Sequence, residues 1–252
     1  MEKWNTVWIT GASSGIGREL ARLLDGEVAH VAVSARSEDT LKEMADSGSS
    51  IAAYPLDVSD EQAVSAGVKA IEKAAGPIDL AVLNAGVWQI MEADDIDLAA
   101  VRTAVDVNYM GVMHCVSALL AGMLSRGSGH IAIVASVAGY RGLPKSIAYG
   151  PTKAALINLV ETLRTELAPR GITVCVVNPG FIDTPMTQDN PFPMPGIIPA
   201  KEAAQKMLEG LKRESYEVIF PRGFVFAMKV LRLLPNALYF WIVQRFVAKN
   251  IA

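Results

Sequence analysis

Val7-Trp8-Ile9-Thr10-Gly11-Ala12-Ser13-Ser14-Gly15-Ile16-Gly17 is the stretch on which the reading of this 252-residue chain turns. An apolar run of strand type passes straight into a glycine-rich turn, and the residues that follow keep helical spacing. Glycines at 11, 15 and 17 let the backbone turn tightly, approach a pyrophosphate and pack helix against strand. The free N–H groups and positive dipole end of the new helix would face the phosphates. The spacing is G-x3-G-x-G, not the commoner dinucleotide fingerprint, and a glycine cluster alone is a weak signal. Its position, opening the first helix of a strand–helix–strand unit, makes Gly11, Ser13, Ser14, Gly15, Ile16 and Gly17 candidates for a nucleotide site. Residues 11–15 also spell G-x-S-x-G, the nucleophile elbow of α/β-hydrolases, which requires an acid and then a histidine downstream. The histidines are His30, His114 and His130, and none follows in the last 122 residues. An elbow also follows several strands, not the first. The hydrolase reading fails on both counts.

Outward from this turn, short Val/Ile/Ala-rich runs at 4–10, 28–34, 50–56, 78–83, 130–135, 173–178 and 217–220 alternate with helical patterns such as 16–25, 61–75, 99–125, 153–168 and 200–212. Strands apolar on both faces, alternating with helices, predict a parallel sheet covered on both sides. Right-handed crossovers then give a doubly wound α/β fold of about seven strands. Its ligand site should lie beyond the carboxyl ends of the strands, at the switch point.

The composition agrees. A chain of this length makes one α/β domain and buries enough apolar surface to fold without disulfides. Cys115 and Cys175 have no partner at metal-ligand spacing and read as buried thiols in a reducing compartment, so no metal is expected. With 23 Lys+Arg against 26 Asp+Glu the formal charge is −3, which argues against a nucleic-acid partner. Residues 1–5 leave no room for a cleavable signal before the first strand. No run of 18 or more uncharged apolar residues appears, so a spanning helix is not expected and a cytoplasmic location is. The mean hydropathy of +0.29 is nevertheless high.

Two further features fall just after strands. The second strand ends Val33-Ser34-Ala35-Arg36, and Arg36 lies 19 residues beyond Gly17, where an acid would hold a ribose hydroxyl but an arginine suits a 2′-phosphate. This points to NADP(H) over NAD(H). Tyr149-Gly150-Pro151-Thr152-Lys153 sets a tyrosine and a lysine one turn apart on a helix face. Pro151 is tolerated there if it falls in the first turn. A nearby ammonium favours the phenolate, so the pKa of Tyr149 should fall toward a range useful for acid–base work.

With Asp57-Val58, Asn84-Ala85-Gly86, Asn108, Ser136, Pro179-Gly180 and Thr184 in order along the chain, the sequence resembles the short-chain dehydrogenase/reductase family as far as about Pro221. The resemblance implies a Rossmann-like catalytic domain over 1–221. It implies Tyr149 as general acid to a carbonyl oxygen, Ser136 as a hydrogen-bond donor to the same oxygen, and Lys153 as the group that lowers the tyrosine pKa and holds the nicotinamide ribose. Asn108 would hold a water relaying protons to Lys153. Asp57 and Val58 would flank the adenine, Asn84, Ala85 and Gly86 the adenosine side, and Pro179, Gly180, Ile182 and Thr184 the nicotinamide. A non-catalytic NADP-sensing protein of the same fold is the alternative, and it would be expected to lose the serine, tyrosine or lysine.

Residues 180–199 carry Phe181, Met186, Phe192, Met194, Ile197 and Ile198 among five prolines, an apolar lid suited to a small hydrophobic carbonyl or alcohol. Residues 222–252 form a basic, apolar helical extension. From 218 onward Arg222, Lys229, Arg232, Arg245 and Lys249 stand without an acid, whereas residues 1–217 hold 18 basic against 26 acidic groups. Such a segment, with Tyr239, Phe240 and Trp241 in an uncharged dozen at 233–244, reads as one that lies at a membrane surface. A subunit interface in a homo-oligomer, or a helix folded over the substrate cleft, are the readings it leaves open.

Overall fold

Strands without a polar face need cover on both sides. In the computed structural model, which describes residues 3–247, they have it. The chain runs β1 (Thr6–Thr10), α1 (Gly15–Leu24), β2 (His30–Ser34), α2 (Glu38–Ser47), β3 (Ile51–Ala53), α3 (Glu61–Ala75) and β4 (Leu80–Leu83). Helix α4 (Leu98–Val105) continues through a π turn (Asp106–Met110) into α5 (Gly111–Arg126), followed by β5 (Gly129–Val134), α6 (Tyr149–Leu167) and β6 (Ile172–Pro179). The seven strand regions expected from the sequence pair as one parallel sheet in the order β3-β2-β1-β4-β5-β6-β9, where β9 is Glu217–Phe220. The order reverses between β1 and β4, the switch point.

Alternate side chains of each strand enter opposite layers. Trp8, Ile131, Ile133, Val174 and Val176 pack with α3, α5 and α6. Val7, Ile9, Ala132, Val134 and Val177 pack with α1, α2 and α7 (Ala200–Lys212). Cys115 and Cys175 are free and buried, one in each layer, and burial pushes both thiols up to about 12.

The differences from expectation are local. Helix α6 begins four residues earlier than the pattern 153–168, at Tyr149, and Pro151 does fall in its first turn. The loop 180–199 contains a two-stranded parallel pair, β7 (Ile182–Asp183) and β8 (Ile198–Pro199). The continuous helix Leu98–Arg126, contrary to the reading of the sequence, is long and apolar enough to cross a membrane by length and composition; Val112, Cys115, Val116, Leu119 and Met123 on it are core residues of the sheet layer. The segment 233–244 is not one helix. α8 (Arg222–Leu233) ends before Pro235, which cannot continue it, and α9 (Asn236–Ile242) starts afresh and runs into a second π turn (Val243–Val247).

The tail folds onto the body. Val225 and Met228 of α8 join the α5–α6 layer, and Tyr239 is buried with its hydroxyl donated to the Gly142 carbonyl. The Arg141 guanidinium donates to the carbonyls of Arg232 (3.1 Å) and Leu234 (3.0 Å), satisfying the C-terminal end of α8, and lies 4.2 Å from the centroid of the Tyr239 ring. Glu217 accepts from Tyr140, from Asn178 (2.8 Å) and from Lys229 of α8. Of the tail cations expected to matter, Lys249 lies outside the described residues.

One buried group makes the core sensitive to acid. His130 of β5 is 3% exposed, its Nε2 lies 3.4 Å from Cys175 Sγ, and Nδ1 has no partner among the described residues. Burial first, with the positive charge of Lys3 adding, lowers its pKa from 6.5 to about 4. Between those values the unfolded chain binds a proton that the folded one refuses, so stability falls as the pH drops from 6.5 toward 4, by roughly 3 kcal/mol in all. Denaturant midpoints measured at pH 7 and pH 4.5 should show this loss, and in His130→Leu the part of it arising in that window should disappear.

Candidate active site

The turn after β1 works because strand ends at the switch point are brought very close. Gly11 has φ +65°, and a Cβ on it would stand 2.7 Å from Ala85 Cα; a Cβ on Gly17 would stand 2.6 Å from the Gly11 carbonyl oxygen. Asn84, just past β4, donates its amide to the carbonyls of Thr10 (3.2 Å) and Gly11 (3.1 Å), while the Thr10 hydroxyl accepts from the N–H groups of Asn84 and Ala85. The Arg18 guanidinium donates to the Ser13 carbonyl and braces the loop.

These strand ends open onto a cavity of about 350 Å³. All the residues singled out from the sequence line it except Gly17 and Asn108: Gly11, Ser13, Ser14, Gly15, Ile16, Arg36, Asp57, Val58, Asn84, Ala85, Gly86, Ser136, Tyr149, Lys153, Pro179, Gly180, Ile182 and Thr184. Gly17 sits behind the loop, where only a hydrogen fits. At the far rim Arg36 is exposed beside Ser37. Across from them burial raises the pKa of Asp57, but the N–H and hydroxyl of Ser59, with the Arg36 charge adding, outweigh it and hold the carboxyl below its usual range. The cavity therefore has a glycine-walled end with free N–H groups, where a pyrophosphate fits, and a basic rim. The residues present meet the steric and electrostatic demands of a dinucleotide.

At the other end stand the serine, tyrosine and lysine. Ser136 follows β5 and caps the short 3-10 turn Val137–Gly139, its Oγ accepting from the Ala138 N–H at 3.1 Å. Tyr149 and Lys153 stand one turn apart at the start of α6, as expected. Their electrostatics differ from expectation. Lys153 is 3% exposed and donates to the Val134 carbonyl at 2.9 Å, with Nζ 5.4 Å from the centroid of the Tyr149 ring. Burial lowers the lysine to about 8. Tyr149 does not fall: burial pushes its phenol up to about 12, and the hydrogen bond with Ser136 opposes only part of that rise. Desolvation sets the direction, and the lysine ammonium donates to the Val134 carbonyl.

Asn108 lies inside the π turn, the kind of helix irregularity often found beside a functional site. Its amide is already engaged, donating to the Val87 carbonyl (3.0 Å) and Thr152 Oγ1 (3.2 Å) and accepting from the Val87 N–H (2.7 Å). It thereby ties the β4 loop to the first turn of α6. A Cβ on Gly86 would lie 3.2 Å from Asn108 Oδ1 and 3.5 Å from Lys153 Nζ, so both groups border one small space.

A second cavity of about 410 Å³ adjoins the first, and Ser136, Tyr149, Gly180, Met186 and Thr187 line both. Its walls are apolar. Of the lid residues, Phe181, Met186 and Phe192 face it, whereas Met194, Ile197 and Ile198 do not. The sequence reading missed Trp88, whose ring meets Tyr149 edge-on at 5.0 Å between centroids and whose Nε1–H donates to Asn190 Oδ1 at 2.9 Å, pinning the lid across the cleft. It also missed that Phe224, Met228, Leu231 and Val243 of the tail close the far wall. Trp88 was accessible in principle, being a bulky ring two residues after Gly86 at a strand's carboxyl end. Nothing local in the sequence marks the tail residues.

Known proteins share this arrangement. A family model described as short chain dehydrogenase matches residues 5–192. An uncharacterized oxidoreductase of Myxococcus xanthus is 35% identical over 240 residues, 94% of this chain and 95% of the relative. A ketoacyl reductase of Nostoc sp. is 34% identical over 222 residues, 85% of this chain and 77% of its own. Among solved structures, a gluconate 5-dehydrogenase from Burkholderia cenocepacia, in complex with NADP and tartrate, superimposes with a TM-score of 0.69 at 27% identity over 74% of both chains. A short chain dehydrogenase/reductase from Burkholderia phymatum, in complex with NAD, shares the fold with a TM-score of 0.81 at 23% identity, covering 91% of this chain and 93% of that one. A match over three-quarters of the sequence and a relative aligned almost end to end place this chain in the short-chain dehydrogenase/reductase family of oxidoreductases.

Proposed function

We propose that the protein is an NADP(H)-dependent carbonyl reductase, or in reverse an alcohol dehydrogenase, acting on an apolar, lipid-like substrate. The observation that carries this reading is the position of Ser136 and Tyr149 on the wall common to a dinucleotide-shaped cavity and an apolar one. A carbonyl presented from the apolar side meets both hydroxyls, with its carbon turned toward the first cavity. The Nostoc relative's name, ketoacyl reductase, describes a carbonyl on an acyl chain, which is the kind of group the apolar walls suit.

A bound nicotinamide supplies the hydride. The protein's own groups do the rest. Gly11, Ser13, Ser14, Gly15 and Ile16 would hold the pyrophosphate, Arg36 and Ser37 a 2′-phosphate, and Asp57 and Val58 the adenine. Asn84, Ala85 and Gly86 would take the adenosine side, Lys153 the nicotinamide ribose, and Pro179, Gly180, Ile182 and Thr184 the carboxamide end. With a pKa of about 12 in the free protein, Tyr149 is protonated at neutral pH and ready to donate to the carbonyl oxygen. Ser136 donates to the same oxygen and stabilises its growing negative charge. The proton that Tyr149 gives up is replaced through Lys153 and a water in the space that Gly86 leaves beside Asn108. A lysine poised near 8 exchanges protons readily at neutral pH.

Three measurements test the reading. Tyr149→Phe keeps the ring and its packing on Trp88 but removes the proton; NADPH oxidation with a suitable ketone should fall by about 10²–10⁴-fold while NADPH still binds. Normal turnover in that variant would refute the mechanism. Arg36→Ala should weaken NADPH by about 10- to 100-fold, the worth of one or two charge-assisted hydrogen bonds, and leave NADH nearly unchanged; equal losses would refute the cofactor assignment. Across ketones and aldehydes of increasing chain length, kcat/KM should rise with length until the apolar cavity is filled. A preference for short polar ketones would refute the substrate class.

A further inference from the structure

Folding the tail onto the body buries one side of it and leaves the other unusually greasy. Among the described residues fourteen large hydrophobic side chains are exposed, and seven of them fall between Phe226 and Phe246. On α8 the exposed set is Phe226 (68%), Val230 (45%) and Leu233 (84%), spaced i, i+4, i+7 and so aligned along one face, opposite buried Val225 and Met228. On α9 Leu238, Phe240 and Trp241 (58%) are exposed while Tyr239 is buried. None of these six side chains lines the apolar cavity. They contribute nothing to the core or the cleft, and solvent exposure of six such groups needs another explanation.

The charge on the same segment says what covers them. From 218 to the end there is no acid. Lys229 is neutralised by Glu217, but Arg222 and Arg232 are exposed on α8 and Arg245 on the turn after α9, and Arg141 stands against the tail from the body. The remainder of the chain is acidic, so the tail is the positive pole of a negative protein. A second copy of the chain would have to bring a like-charged tail against this one, or bury the arginines. A bilayer with anionic headgroups accepts both features at once: apolar side chains enter the headgroup–acyl boundary, with Trp241 suited to that depth, and each nearby arginine adds about five-fold in partitioning. We propose that the exposed faces of α8 and α9 dock the protein on an anionic membrane surface. Helix α8 and the turn after α9 also wall the apolar cavity, through Ala227, Leu231 and Val243, so the docked face of α8 and the cavity are two sides of one layer.

Flotation of the full chain with vesicles tests this without reference to turnover, and so stands or falls apart from the reaction. The protein should float with phosphatidylcholine vesicles containing about one quarter phosphatidylglycerol, float much less with phosphatidylcholine alone, and be released by high salt. Phe226→Ser/Leu233→Ser/Trp241→Ser should abolish flotation, and Arg222→Glu/Arg245→Glu should reduce it by about tenfold or more, both with far-UV circular dichroism and thermal unfolding like the parent's. Failure of the full chain to float with either vesicle overturns the proposal, as does flotation unaffected by the serine variant. Equal binding to neutral vesicles overturns the role of charge. If the serine variant instead changes only the mass measured by light scattering, the face is an interface between copies and the membrane assignment is wrong.

Discussion

Everything at the functional end of this molecule depends on how closely β1 and β4 come together where the sheet changes direction. Parallel strands diverge beyond their last ladder bond, and a crevice there must be held at a set width if a ligand is to bridge it. Here Thr10 and Asn84 hold it: one hydroxyl accepts from two backbone N–H groups across the gap, and one amide returns two bonds to the opposite backbone. With that many bonds spanning so short a distance, the backbone of Gly11 lies against Ala85 without room for a methyl group. The glycines are thus required by the strand junction as well as by any phosphate. The rest of the loop, through Ser13 braced by Arg18, is positioned from this point.

The two groups proposed to handle the proton stand in a dry setting. Lys153 and Tyr149 lie one turn apart, yet their pKa values move in opposite directions, to about 8 and about 12, because burial penalises the charged form of each. A neutral phenol and a readily deprotonated ammonium are what an acid catalyst needs before it acts. A phenolate stabilised in advance would have nothing to donate. The ammonium's bond to Val134 also keeps a buried polar backbone group satisfied.

The sheet was legible in the sequence because its central strands β1, β4, β5 and β6 are buried on both faces, so that their apolar runs stand out without needing alternation to identify them. The candidate site residues were legible for a related reason: the fold delivers whatever follows each strand to one rim, and Gly11, Arg36, Asp57, Asn84, Ser136 and Gly180 are all such followers. What the sequence hid are effects that depend on distance between remote segments. The upward shift of Tyr149 comes from how deeply the folded chain buries its phenol, and the lysine one turn on donates to the Val134 carbonyl, 19 residues away. Trp88 acts through Asn190, 102 residues on. The break at Pro235 was readable from local rules, but which face of the tail would be buried was not, since Phe224, Phe226 and Phe240 look alike in sequence and only the first meets the cavity.

The tail is more than a cover laid over a finished domain, because one carboxylate links it to the loop that bears the serine. Burial alone would raise the pKa of Glu217, yet hydrogen bonds from Lys229, Tyr140 and Asn178 outweigh this and keep it ionised. Tyr140 ends the 3-10 turn that Ser136 caps, Asn178 is near the end of β6, and Lys229 is on α8. Three elements therefore share one half-buried negative charge, and removing any of the three partners would leave that charge short of a hydrogen bond in a partly desolvated place. A change in how α8 sits reaches the turn beside Ser136 through two hydrogen bonds. The wall of the apolar cavity and the turn that bears Ser136 are in this way tied by the same contacts, which is why a segment outside the sheet is coupled to the candidate site.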